Sequence, residues 1–151
     1  MAITVLALDL EGTLVSNAVS QIPRPGLFRF LEFCRTIVPR IVIFSAVSEA
    51  RARQVIANGV EAGDMPLWMN ACVEYVSWSG PHKNLKFIGC AAVANILIVD
   101  DQESYIEPDH RTQWIPIAEF SAPYPTDDTA LAEVECALRD RLAREAATAK
   151  P

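Results

Sequence analysis

Three short apolar runs, at residues 3–8, 41–44 and 96–99, constrain this chain more than any other feature, and each one stops on a polar group. They are rich in Val and Ile and too short for buried helices. Their near-continuous apolar character, without alternation, predicts strands covered on both faces, as in a parallel sheet. The first run delivers Asp9, the second Ser45, and the third Asp100 and Asp101. Open parallel sheets bind ligands beyond the carboxyl ends of their strands. These four residues are therefore predicted to meet in one crevice.

Segments of helical spacing lie between the runs. Leu27, Phe30, Leu31 and Cys34 form a stripe after Pro25, whose fixed φ suits a helix start. Residues 50–57 follow Ser48, a predicted N-cap, and are expected to stop near Asn58-Gly59. A short strand is predicted at 114–117 and a last helix at 128–144, with Leu131, Val134, Leu138 and Leu142 on one face. Asp127 and Asp128 at its start and Arg139, Arg141 and Arg144 near its end suit the helix dipole. This order predicts an α/β, Rossmann-like, doubly wound parallel sheet. A single domain is expected over 1–145, with a small β insertion at 65–80 and a flexible tail at 146–151. Trp68, Tyr75 and Trp78 are expected to form the core of that insertion.

With 51% hydrophobic residues in 151, the chain can offset its ordering entropy, which excludes intrinsic disorder. No apolar run approaches the roughly 20 residues a membrane span needs. The net charge of −6 argues against a broad basic surface for nucleic acid. No basic region precedes the first apolar run, so it does not read as a signal peptide, and a cytoplasmic location is expected. Cys34, Cys72, Cys90 and Cys136 are widely spaced, with no C-x-x-C pair. Three of them sit in apolar stretches and are expected to be buried thiols. His82 and His110 are too few for a histidine-rich metal site.

The predicted crevice has its own chemistry. Three or four carboxylates close together repel unless a cation neutralises them or some are protonated. Hard oxygen donors with open positions suit Mg²⁺ better than zinc. A carboxylate nucleophile beside a second carboxylate, a hydroxyl and a lysine is one way to hydrolyse a phosphate monoester. Lys83, at the start of a predicted helix before the third run, is the candidate for neutralising phosphoryl oxygens, and Lys86 is the alternative. Setting aside Asp9, Glu11, Asp100 and Asp101 leaves the remaining chain at −2. Most of the acidic surplus is therefore expected in the crevice.

Asp9-Leu10-Glu11-Gly12-Thr13, Ser45, Lys83 and Asp100-Asp101 resemble the four motifs of the haloacid dehalogenase (HAD) superfamily. Further segments narrow the resemblance. Arg24-Pro25-Gly26-Leu27, Phe30-Leu31, Ile41-Val42-Ile43-Phe44-Ser45-Ala46, Lys83-Asn84-Leu85, Trp114-Ile115-Pro116-Ile117 and Asp128-Thr129-Ala130-Leu131 follow in order. Over roughly residues 3–142 the chain is similar to the phosphatases of the RNA polymerase II carboxy-terminal domain, the NLI-interacting-factor (NIF)-like family. The resemblance implies that Asp9 is the nucleophile and forms an aspartyl-phosphate, and that Glu11 holds the general acid/base position. It implies that Ser45 and Lys83 hold the phosphoryl oxygens. A Mg²⁺ ion would be held by the Asp9 carboxylate, the Glu11 backbone carbonyl, Asp100 and Asp101.

One position departs from the family, which has Asp where this chain has Glu11. Glutamate is one methylene longer, and a misplacement of about 1 Å can cost roughly 100-fold in rate. Superfamily members often carry lids after the first motif or between the second and third. Here 36 residues separate Asp9 from Ser45 and 38 separate Ser45 from Lys83, too few for a full lid beside the core elements. An open site favours a phosphate on a macromolecule. The expectation is a capless, Mg²⁺-dependent phosphatase acting on a phosphoserine or phosphothreonine protein. The alternatives are a small-metabolite or nucleotide phosphatase, and an inactive binding module marked by Glu11.

Overall fold

The computed structural model of the chain describes residues 2–149. Its five strands are β1 (Val5–Leu8), β2 (Arg40–Ile43), β3 (Glu74–Tyr75), β4 (Ile96–Asp100) and β5 (Trp114–Pro116). They form one parallel sheet in the order β3-β2-β1-β4-β5. The three apolar runs are its three central strands. Successive strand side chains point to opposite faces. Leu6, Leu8, Ile41, Ile43, Leu97 and Val99 accordingly join one apolar cluster, while Val5, Ala7, Val42, Phe44, Ile96 and Ile98 join the other. Burial on both faces explains why these runs are continuous and do not alternate.

The first cluster is completed by α1 (Leu27–Ile37), α2 (Glu49–Glu61) and α4 (Ala130–Thr148). Irregular segments with short 3₁₀ turns cover the second face, through Leu85, Ile88 and Ile106. The register brings the strand tips level. Leu8 pairs with Ile43 on one side and Val99 on the other, so the residues that follow each strand emerge together.

Helix α2 starts where expected, with the Ser48 hydroxyl accepting the Arg51 N–H at 3.2 Å. It runs past Asn58-Gly59, because Gly59 leaves room for Met65, whose side-chain atoms lie 3.1 Å from where a Cβ would sit. The left-handed stop falls instead at Gly63, with φ +80°. Helix α4 continues beyond Arg144 through residues 146–148, part of the stretch expected to be a tail. Alanine is the strongest helix former, and the Arg141–Glu145 pair at 3.0 Å supports that turn. Lys150 and Pro151 lie outside the described residues.

Residues 65–80 do not stand apart as an insertion. They supply α3 (Trp68–Ala71) and β3, which extends the main sheet at its edge. Trp68 and Tyr75 pack on the first apolar cluster and Trp78 on the second. In place of the helix expected at Lys83 there is a single 3₁₀ turn, Leu85–Phe87. The cysteine expectation also fails: only Cys34 is buried, on the inner face of α1, while Cys72, Cys90 and Cys136 are exposed. Apolar neighbours in sequence do not bury a residue whose own side of a helix or loop faces water. Among the described residues no helix is long and apolar enough to cross a membrane.

Candidate active site

The tips of β1 and β4 bring three carboxylates together. Oxygen atoms of Asp9, Asp100 and Asp101 lie within 4.8 Å of one another. Asp9 and Asp100 are buried, 5% and 0% exposed, at the end of the fully buried central strands. The Asp9 backbone N–H donates to the Val99 carbonyl at 3.0 Å, which locks the two tips together.

Lys83 reaches this cluster from the loop before β4. Its backbone is pinned by a 2.6 Å hydrogen bond from its N–H to the Tyr105 carbonyl. Its Nζ, 1% exposed with the rest of the residue, donates to Asp9 Oδ1 at 2.9 Å and Asp100 Oδ2 at 2.5 Å. An ammonium has three protons, so one remains for a ligand. Lys86, the alternative, is exposed, with its backbone N–H bonded to Asn84.

Burial pushes the Asp9 carboxyl well above the usual carboxylate range; Lys83 opposes that rise and Asp100 adds to it. Asp100 is raised by burial too, again against the pull of Lys83. Burial disfavours the charge on Lys83, but the two carboxylates outweigh it and raise its pKa. The charges do not balance: three carboxylates face one ammonium, an excess of two negative charges when all are ionised. The Thr13 hydroxyl lies 2.9 Å from Asp9 Oδ2 and 3.2 Å from Asp101 Oδ1, and its one proton serves only one of them at a time. An all-oxygen donor set with two surplus charges fits a divalent cation.

Glu11 and Ser45 flank the cluster in a cleft of about 330 Å³. The Glu11 carboxylate accepts the Ala18 N–H at 2.7 Å, and its side chain is not one of the three clustered carboxylates. Ser45, 7% exposed, accepts the Val47 N–H at 3.2 Å through its hydroxyl, and its carbonyl accepts the Trp78 indole N–H at 2.8 Å. All six expected site residues therefore gather at the carboxyl ends of the central strands. His82 does not join them and faces Glu107 at 3.8 Å. His110 is buried elsewhere, its Nδ1 accepting the Leu85 N–H at 3.2 Å. Arg51 of α2 donates to the Ala18 carbonyl at 2.7 Å.

Several neighbours of the cluster carry no motif of their own. Gln102 donates through its side chain to Asp101 Oδ2 at 2.9 Å and through its backbone to Asp100 Oδ1 at 2.9 Å. Gly12 has φ +74°, and a Cβ there would lie 2.5 Å from Asp101 Oδ2 and 3.3 Å from Glu119 Cγ. Only a glycine lets the first loop pass under those carboxylates. Arg24 is buried behind the loop and donates to the Gly12 and Thr13 carbonyls at 3.2 and 3.3 Å. Glu119, Phe120, Ser121 and Tyr124 complete the far wall of the cleft. They follow β5, which lies beside β4 in the sheet, and that neighbourhood carries them to the β4 tip.

No curated protein matches the sequence. A family model does, that of the NLI interacting factor-like phosphatases, over residues 4–148. The match spans nearly the whole chain, and the parallel five-stranded sheet is of the HAD-like, Rossmann type. The chain therefore belongs to the NLI interacting factor-like phosphatase family.

Proposed function

We propose that the protein is a Mg²⁺-dependent phosphomonoester hydrolase that works through an aspartyl-phosphate on Asp9. The observation that carries this reading is the position of the Asp9 carboxylate. It stands at the tip of a central strand, with Lys83 on one oxygen, Thr13 on the other, and two further carboxylates within 4.8 Å. Asp9 attacks phosphorus and takes the phosphoryl group, the ester oxygen leaves with a proton from Glu11, and water then cleaves the acyl phosphate. The third Lys83 proton and the Ser45 hydroxyl stabilise the phosphoryl oxygens as charge builds on them. Asp9, the Glu11 backbone, Asp100 and Asp101 would hold Mg²⁺, which supplies charge neutralisation for nucleophile and phosphate.

An open cleft formed by core loops favours a phosphoserine or phosphothreonine protein as substrate, in a cytoplasmic setting. The hydrogen bond between Glu11 and Ala18 favours a second reading, in which the acid is held away and the fold serves as a binding module. Turnover of an aryl phosphate with and without Mg²⁺ separates the two. Metal-dependent hydrolysis that disappears in Asp9→Asn is expected. Absent turnover, or turnover that survives Asp9→Asn, overturns the mechanism.

A further inference from the structure

We infer that the cleft selects phosphomonoesters whose leaving group carries a positive charge, and that Glu119 and Tyr124 read that charge. This rests on the phosphatase reading above and deepens it. The charged residues lining the cleft are Asp9, Glu11, Asp101 and Glu119, with no lysine or arginine among them. Asp9 and Asp101 belong to the carboxylate cluster and Glu11 is bonded to Ala18. Glu119 is different. It is exposed, stands beside Gly12 at the mouth of the site, and forms no ion pair among the described residues.

Tyr124 stands on the same wall, half-buried, with its ring centroid 5.3 Å from that of Phe120. It adopts φ +56°, a left-handed conformation unusual for an aromatic residue, which is fixed by its N–H donating to the Ser121 carbonyl at 2.9 Å. The Phe120 ring already carries the Arg24 guanidinium at 5.3 Å, while among the described residues none is placed over Tyr124. A free carboxylate and an uncovered aromatic face lining one cleft each attract a cation. A second phosphate or a carboxylate on the substrate would meet Glu119 with no lysine or arginine on the lining to offset it. Arg51 does not supply one, because its guanidinium is turned to Ala18 and lies outside the lining.

The test compares kcat/KM in the presence of Mg²⁺ for phosphoserine peptides of one length flanked by Lys, Gln or Glu. A second arm compares phosphoethanolamine, glycerol phosphate and phosphoglycerate. The expected order is cationic over neutral over anionic, about fivefold per step, which is the size of one favourable ion pair. The steps should shrink at high salt. Glu119→Gln should flatten the order and Glu119→Lys should invert it, each read as a ratio within the variant. An order seen only with peptides places the cation on a protein, and one seen only with small esters places it on a metabolite; either supports the inference. Equal or better hydrolysis of the anionic substrates overturns it, as does an order unchanged in Glu119→Lys. Should no phosphate ester be hydrolysed at all, the phosphatase reading fails. Selectivity is then judged by anisotropy of labelled peptides on Asp9→Asn with Mg²⁺, where tighter binding of the Lys-flanked peptide sustains it and equal binding sinks it.

Discussion

Arg24 and Asp128, 104 residues apart in the chain, hold each other through two hydrogen bonds, Nε to Oδ2 at 2.8 Å and Nη2 to Oδ1 at 3.1 Å. The Arg24 side chain is wholly buried and Asp128 keeps 15% side-chain exposure. The same guanidinium bonds the carbonyls of Gly12 and Thr13, so one residue ties the loop after β1 to the approach to α4.

Removing the acid should therefore harm the fold more than removing the base. Asp128→Ala leaves a guanidinium buried without its counter-charge, a loss of about 3 kcal/mol, the lower end for buried pairs because Asp128 is partly hydrated. Arg24→Met removes the charge and keeps much of the volume, and Asp128 can turn to water. Urea unfolding should rank wild type over Arg24→Met over Asp128→Ala.

The pair also sets a pH response. Hydrogen bonding to Arg24 holds the Asp128 carboxyl below its usual range. A depressed carboxyl contributes stability above its unfolded pKa, near 4, and loses it as pH falls through the lower folded value. Wild type should lose this component progressively below about pH 4, and Asp128→Asn should lack it. Parallel acid-unfolding curves for the two would contradict the assignment.

Metal binding should be visible without turnover. If the carboxylate cluster holds Mg²⁺ only in the folded chain, an ion concentration 100 times the dissociation constant adds about 2.7 kcal/mol. For a chain of this length that raises Tm by roughly 5–10 °C. Asp101→Asn should remove most of the rise. A melting curve indifferent to Mg²⁺ would mean that the cluster does not bind it.

Gly12→Ala tests the crowding at the first loop. The positive φ alone costs about 1–2 kcal/mol, and the new methyl would displace Asp101 Oδ2. Hydrolysis of an aryl phosphate should fall by about 100-fold or more, since that displacement is on the order of 1 Å. Gly63→Ala has a similar φ and open space around it, so it should cost stability alone.

The site was legible in the sequence to the extent that it hangs on strand tips. Asp9, Ser45 and Asp100-Asp101 each follow a run whose burial on both faces leaves a continuous apolar signature. Lys83 emerged from its place ahead of β4, although the helix expected there is only a 3₁₀ turn. Less was readable where a contact joins distant loops. Nothing local marks Arg24 as the partner of Asp128, and nothing in residues 118–124 announces the wall that Glu119 and Tyr124 build. Strand β3 has two residues and draws its order from its neighbour β2, too short for any periodicity. The exposed cysteines show the same limit, because burial depends on which way a surface turns.

Strand β1 is hydrogen-bonded on both edges and buried along its whole length, and Asp9 is the next residue after it. Segments of that kind open only with the whole molecule, while short edges such as β3 fray first. Asp9, the proposed nucleophile, is thus mounted on a segment that should be among the last to exchange its amide protons with water. On warming, the loops around the cleft should loosen before the Asp9 carboxylate shifts, so on the proposed mechanism affinity should fade ahead of the chemical step.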